Sequence, residues 1–300
     1  MAFPSLPDAS VQWIPQATED GSFTFFSKAF GEAFHSTQGA KTEAMQKFAV
    51  ATDLADRATS GHLRLLDICY GLGYNTAAAL ETIWAVNPDC EVEIYALELD
   101  ATVPRAAIAS ALIEQWPLNV QLALQAIARH HHYQAKALSA TLLLGDARQT
   151  IQPLIAQGWQ ADAIFFDPFS PRRCPQLWTV EFFTHVARCL APTGKLATYS
   201  RAAAVRAAMQ AAGFVVGTMP LTGAHLPHEW ALGTVAAFEM AAIAPLSPME
   251  QEHLQTRAAI PYRDPTLTDS AEVILARHQQ EQQSSQREST SSWRRRWGIH

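Results

Sequence analysis

Apolar residues in this 300-residue chain gather into short runs, and several of these stop at a glycine or a carboxylate. Leu63, Leu65, Leu66 and Ile68 form one run, which leads into Tyr70-Gly71-Leu72-Gly73-Tyr74-Asn75 and then an alanine-rich segment. That order predicts a strand, a glycine turn and a helix start. Val92 to Leu97 ends in Glu98-Leu99-Asp100, Thr141 to Leu144 in Gly145-Asp146-Ala147, and Ala163 to Phe166 in Asp167-Pro168-Phe169. Between these runs the period changes to that of helices. Ala101 to His132 has room for two helices or an insertion. Thr179 to Leu190 reads as a helix capped by Thr179 with Phe182, Phe183, Val186 and Leu190 on one face, ended by Pro192-Thr193-Gly194. Lys195 to Ser200 is expected as the next strand, and Arg201 to Ala212 as a helix stopped by Gly213. Phe214 to Thr218 and Gly233 to Met240 are expected to form an antiparallel hairpin. Alternating strands and helices followed by a hairpin predict an α/β fold, a mostly parallel sheet in three layers.

The flanks read differently, and three regions are expected. Residues 1–60 form an N-terminal extension, 61–241 the sheet domain and 242–300 a C-terminal extension. Residues 1–20 look like an extended lead. DGSFTFFS around Asp20-Gly21 reads as half a hairpin, and Ala44, Met45, Phe48, Ala51 and Leu54 have helical spacing over Lys41 to Ala55. Ala242 to Pro261 has room for one helix. Gln279 to Ser292, rich in Gln, Ser and Glu, is expected to be solvated or disordered. In the closing WRRRWGIH, Arg294, Arg295 and Arg296 sit between two tryptophans. That tail suits contact with nucleic acid or a frayed end without a role.

Composition narrows the class. With 48% hydrophobic and 17% charged residues the chain can bury a large core. No apolar run reaches the ~20 residues that span a bilayer. The start, MAFPSLPDASVQW, has neither the basic nor the apolar segment of a secretory signal. Four scattered cysteines without a C-x-x-C pair read as buried, reduced thiols of a cytoplasmic protein. The net charge of −6 argues against a broadly basic nucleic-acid surface, though not against a local patch. His130-His131-His132 reads as a solvated helix end, since consecutive helical residues point apart and no ligand spacing accompanies them. No metal is expected.

In an open parallel sheet, ligands bind beyond the carboxyl ends of the strands. The run that ends in Glu98 begins roughly 20 residues after the glycine turn, the separation at which such sheets place an acid against a ribose diol. A dinucleotide and S-adenosylmethionine both suit this layout. The dinucleotide fingerprint wants a small third residue where Thr76 stands, and Asp67 is a poor neighbour for a pyrophosphate. A carboxylate is a good neighbour for the cationic amine of S-adenosylmethionine, which fits better. Plainer readings stand beside these: Asp146 as the cap of a helix beginning near Arg148, and Asp167-Pro168 as a turn.

Residues 162–213 carry the most specific pattern: Asp167-Pro168-Phe169-Ser170-Pro171, Cys174-Pro175, Leu177-Trp178-Thr179, Phe182-Phe183 and Gly194 to Ser200. DGSFTFFS with Gly31-Glu32 and His35-Ser36, and Ile260-Pro261-Tyr262-Arg263-Asp264-Pro265, extend it over most of residues 20–270. The pattern resembles the methyltransferase component of the MnmC family, which modifies the wobble uridine of tRNA. The resemblance implies a Rossmann-like class I methyltransferase that uses S-adenosylmethionine. It would methylate the aminomethyl group on carbon 5 of uridine 34, in the anticodon loop, to methylaminomethyl. Bifunctional members carry an FAD-dependent oxidase module that prepares the amine. This chain lacks the length and a second glycine fingerprint for it, so it would perform the methyl transfer only, with a separate enzyme supplying the amine or a different substrate in its place.

Roles follow by position. Gly71, Gly73 and Asn75 belong to the cofactor turn, Asp67 would bind the cofactor amine or orient the turn, and Glu98 would hold its ribose, with Asp100 second in line. Gly145 and Asp146 would face the adenine. Asp167 would serve the reacting amine, which is protonated at neutral pH and must lose a proton to become a nucleophile. Phe169 and Tyr199 would stack on the splayed base, whereas Trp178 is expected in the core. Arg172 and Arg173 would contact tRNA phosphates, or else belong to a solvated loop. Two rivals remain: a methyltransferase or aminopropyltransferase-like enzyme acting on a small amine, and a non-catalytic S-adenosylmethionine- or RNA-binding protein.

Overall fold

In the computed structural model of the chain, residues 13–219 and 231–299 are described. Most of the extended lead expected over residues 1–20, including the stretch that bears on a secretory signal, lies outside them. Two short hairpins come first, β1 (Gln16–Ala17) with β2 (Phe23–Thr24) and β3 (Phe26–Ser27) with β4 (Glu32–Ala33). The single helix expected over Lys41 to Ala55 is instead three pieces: α1 (Ala40–Ala44), a wide π-type segment Met45–Val50, and α2 (Leu54–Arg57). The break lies at Asp53, whose φ of 56° no helix accepts.

The sheet then follows as β5 (His62–Ile68), α3 (Tyr74–Val86), β6 (Glu91–Glu98), α4 (Thr102–Ala109), α5 (Leu118–His130), β7 (His132–Ala135) and β8 (Leu138–Leu144). After α6 (Ala147–Thr150) and α7 (Gln152–Ala156) come β9 (Ala161–Phe166), α8 (Val180–Arg188), β10 (Leu190–Thr198), α9 (Ala203–Ala211), β11 (Val215–Thr218) and β12 (Thr234–Ala237). The strand order is β11-β12-β10-β9-β5-β6-β8-β7. The five strands from β10 to β8 are parallel, and the outer pairs on both sides antiparallel. The α/β sheet with its closing hairpin matches expectation. The edge strand β7 does not, because His132–Ala135 is polar and too short to show alternation.

Period-two alternation assigns the faces. Leu65, Ala163 and Phe165 point to one core, with α3, α5 and the N-terminal residues Phe25, Ala44 and Phe48. Leu66, Ile68, Ile164 and Phe166 point to the other, with Phe182, Phe183, Val205 and Met209 from α8 and α9. Strands buried on both faces read as nearly continuous apolar runs, which is why the central four were legible. Thr179 caps α8 as expected, its hydroxyl accepting the Phe182 N–H at 3.2 Å, and Gly213 follows α9 with φ +97°. Pro192-Thr193-Gly194 is not a loop but part of β10. A register shift between Leu190 and Lys195 absorbs it, since proline has no N–H for the ladder.

The C-terminal region departs most from expectation. It holds α10 (Pro248–His253), α11 (Ala271–Ser284) and α12 (Thr290–Trp297). Trp293 is fully buried and stacks on His253 with centroids 4.3 Å apart. Arg296 pairs with Glu252 and Glu288, and the Trp297 indole donates to Glu252. A polar composition hides one buried aromatic and a set of internal charge pairs, and these order the tail. No helix among the described residues is long and apolar enough to cross a membrane.

Candidate active site

The chain runs outward from β5 through β6 to β8, then crosses to β9 on the other side of β5. The reversal opens a crevice where the carboxyl ends of β5 and β9 lie side by side. The Asp167 N–H donates to the Ile68 carbonyl at 3.1 Å, placing the end of β9 against the start of the glycine turn. In that turn Gly71 has φ +55° and Gly73 φ +82°. A β-carbon on Gly71 would lie 3.2 Å from the Phe34 ring, and one on Gly73 2.6 Å from the Tyr70 hydroxyl. Backbone sign and crowding together require glycine at both.

Four acids converge here. Asp67 is wholly buried; its Oδ2 accepts the Thr76 hydroxyl at 2.7 Å and its Oδ1 has no partner. Burial pushes its carboxyl up to about 7. Glu98 accepts the Gly71 N–H at 2.7 Å and the Asp100 N–H at 2.8 Å, which locks the turn to β6. Burial raises it to about 7 against the pull of those donors. Asp167 accepts the Asn75 amide at 2.9 Å, and burial, then the charge of Glu43, raises it to about 8. The fourth, Asp100, accepts the Thr102 N–H at 2.8 Å.

A cavity of about 840 Å³ opens above this floor. Of the residues expected at the site, Glu98, Asp167, Phe169 and Tyr199 line it. Gly71 and Asn75 touch those lining acids from behind, while Asp67, near the end of β5, and Gly73, in the turn, are not among the lining residues. The 167–171 loop is held at three points: Tyr199 Oη donates to the Pro168 carbonyl, Trp178 Nε1 to the Phe169 carbonyl, and the Ser170 N–H to Glu32. Trp178 is in the core, as expected.

Two expected pairs do not come to the cavity wall. Gly145 donates its N–H to the Glu98 carbonyl, and Asp146 caps α6 through the Arg148 N–H while its carboxylate grips the Arg148 guanidinium at 2.8 and 3.0 Å. The helix-cap reading is the one realised. Arg172 and Arg173 are exposed beside the cavity rather than in it, and Arg173 lies over Gly31, 3.9 Å from Glu32.

The far wall comes from the N-terminal segment, to whose residues the sequence reading gave no role at the site. Phe30 stacks on Phe169 at 4.4 Å, and Phe34 meets its edge at 4.9 Å. His35, Glu43 and Lys47 also face the cavity. Burial lowers His35 to about 4, so it is neutral. One signal was available: Glu43 and Lys47 lie four apart in a stretch of helical spacing, where opposite charges meet.

Comparison with known proteins agrees with this geometry. The sequence profile of an S-adenosyl-L-methionine-dependent methyltransferase family matches residues 104–227. The crystal structure of MnmC2 from Aquifex aeolicus superimposes with a TM-score of 0.73 at 29% identity, over 92% of this chain and 87% of that one. The chain is an S-adenosylmethionine-dependent methyltransferase related to MnmC. The bifunctional MnmC protein of Azoarcus sp. (strain BH72), named for tRNA 5-methylaminomethyl-2-thiouridine biosynthesis, is 32% identical over 213 residues. These are 67% of this chain and 32% of that protein, so the chain spans about a third of the bifunctional relatives it matches. An uncharacterized protein of Methanocaldococcus jannaschii is 29% identical over 266 residues, 86% of this chain and 69% of that protein.

The residues present fit S-adenosylmethionine. A buried carboxylate oxygen on Asp67 lacks a partner, as a site for a cationic amine requires. The glycine turn lets backbone approach a ligand closely, and each Glu98 oxygen keeps a lone pair for a hydroxyl. Among MnmC-like features, the acid-rich floor suits a cofactor that carries its methyl group on a positively charged sulfur.

Proposed function

We propose that this chain transfers the methyl group of S-adenosylmethionine to the aminomethyl nitrogen on carbon 5 of the wobble uridine, position 34, of tRNA. The observation that carries this reading is Asp167. It is a partly buried carboxyl on the cavity floor at the sheet's reversal, oriented by Asn75 and raised to about 8. A group of that affinity can take a proton from an alkylammonium near neutral pH, which a primary amine needs before it can attack. The rest of the catalysis is positioning. The names of the bifunctional MnmC relatives support tRNA as the substrate.

In this reading residues 61–241 hold the cofactor, through Asp67, Gly71, Gly73, Asn75 and Glu98, and residues 1–60 wall the acceptor side. The wobble base would stack on Phe169 in place of Phe30, since unstacked RNA bases are held on aromatic faces. Arg172 and Arg173, exposed at the rim, would meet anticodon-loop phosphates. The test is transfer of labelled methyl to total tRNA from a strain lacking this gene, followed by nucleoside analysis. A methylaminomethyl-uridine product is expected. Unlabelled tRNA, from protein that still binds S-adenosylmethionine, would redirect the reading to a small-amine acceptor.

A further inference from the structure

Transfer to an amine poses a charge problem that Asp167 alone does not solve. The acceptor arrives as R–NH3⁺ and passes one proton to the Asp167 carboxylate. The neutral nitrogen then bonds to the methyl carbon as the carbon–sulfur bond breaks and its electron pair stays on sulfur. The product is R–NH2⁺–CH3, still a cation, beside an Asp167 that is now neutral. Holding that cation in the cavity before and after transfer therefore calls for a second anion that keeps its charge throughout.

Glu43 stands where that anion is needed. It lines the cavity together with Asp167, although it comes from α1 and not from the sheet. Its Oε2 accepts the Ser36 N–H at 3.0 Å and its Oε1 is paired with Lys47, which lines the same cavity. The anchor is firm, because α1 packs on α3, the helix that carries Asn75 to Asp167. We propose that Glu43 is the second acid of the acceptor site, holding the acceptor nitrogen as an ammonium before and after transfer while Asp167 takes the proton. This rests on the amine-transfer reading above.

The surroundings separate the two acids in the required sense. Burial alone would raise Glu43, but the Lys47 ammonium and the Ser36 N–H outweigh it and hold the carboxyl below the usual range. Asp167 moves the opposite way. Two acids of one cavity with affinities pushed apart divide the work into a permanent anion and a proton acceptor. Asp167 is faced by Glu43 and Lys47 from the N-terminal segment, Asp67 and Cys69 from the end of β5, Asn75 from α3 and Tyr199 after β10.

The experiment uses the full chain and an anticodon stem-loop carrying 5-aminomethyluridine. Glu43→Gln is expected to raise the acceptor KM at least 10-fold while the Kd for S-adenosylmethionine stays within twofold. It should also move the acidic limb of the kcat/KM profile to lower pH, because removing a negative charge beside Asp167 favours its ionised form. Lys47→Met should move the limb to higher pH, and Glu43→Asp should recover part of the acceptor affinity. A purely structural Glu43 would not shift the limb in opposite directions in the two variants. Glu43→Gln with the wild-type KM and an unmoved limb overturns the assignment, while the wild-type enzyme still methylates the stem-loop. A wild-type enzyme that methylates no aminomethyl stem-loop removes the amine-transfer reading itself, and this assignment with it.

Discussion

The two extensions bind the same sheet in different ways. The N-terminal segment packs on the α3–α5 face and reaches the cavity with rings and single polar groups: Phe30 and Phe34 on Phe169, Glu32 on Ser170, Glu43 beside Asp167. The C-terminal region packs on the α8–α9 face and is joined by desolvated ion pairs. Arg206 and Glu250 meet at 2.8 Å with side chains 1% and 3% exposed, and Arg148 meets Asp264 at 2.7 Å. Charges that face a cavity keep capacity for a ligand, even where one is paired at its side as Glu43 is with Lys47. Charges sealed against each other have none left and serve to hold elements together. The same contrast separates Asp167, open to the cavity, from Asp146, committed to Arg148.

The strongest way to sharpen this contrast is Asp167→Ala. Methyl transfer should fall by about 10³-fold, within the range for loss of a general base, with cofactor affinity kept within a few-fold. Parallel titrations of kcat and cofactor binding check it, and near wild-type turnover would remove the assignment. Next is Arg206→Met on the C-terminal side. It leaves Glu250 buried without its partner and should cost about 3–5 kcal/mol, read from the denaturant midpoint. Turnover per folded molecule should not change. Glu32→Ala is the N-terminal counterpart: it frees the Ser170 loop and should lower kcat by about 10-fold, the size of a lost positioning contact of ~1.4 kcal/mol. Its thermal midpoint should stay near wild type. If Glu32→Ala unfolds the protein and Arg206→Met slows turnover, the contrast is inverted.

The smallest expected effect is on pH. Asp67, Glu98 and Asp167 all bind protons more tightly in the folded chain, at about 7, 7 and 8, than an ordinary carboxyl at about 4. Between those limits the folded state holds more protons than the unfolded one. The stability these groups contribute is therefore complete below about pH 4 and is lost as pH rises through 7–8. The thermal midpoint of the cofactor-free protein should drop by a few degrees from pH 5 to pH 8.5. S-adenosylmethionine, being cationic, should restore more of it at pH 8 than at pH 6, and neutral S-adenosylhomocysteine less. An unchanging midpoint from pH 5 to 8.5 would mean that the acids are not held as described.

Much of the sheet was readable because its signals are local. Strands buried on both faces must be apolar along their length, so Leu63 to Ile68 and Ala163 to Phe166 stood out. Thr179 announced its helix by a bond to Phe182 only three residues on. Edge strand β7, half as long as a central strand and polar, gave no such signal. The C-terminal helices were hidden for another reason: Trp293 and Arg296 order them through His253 and Glu252, forty or more residues earlier in the chain.

The sequence by itself determined the glycine turn, the acids at the strand ends and the chemistry they suit, because backbone sign, periodicity and functional-group identity are properties of neighbouring residues. Only the tertiary structure decided which acids line the cavity. Asp146 is drawn to Arg148, its neighbour two positions on, which is fixed by Asp264 across 116 residues of chain. Asp167 faces a cavity with a far wall because Glu32 reaches Ser170 across 138 residues and brings Glu43 and the phenylalanines with its segment. Contacts at such separations depend on how the layers pack, and packing is set by the whole chain at once.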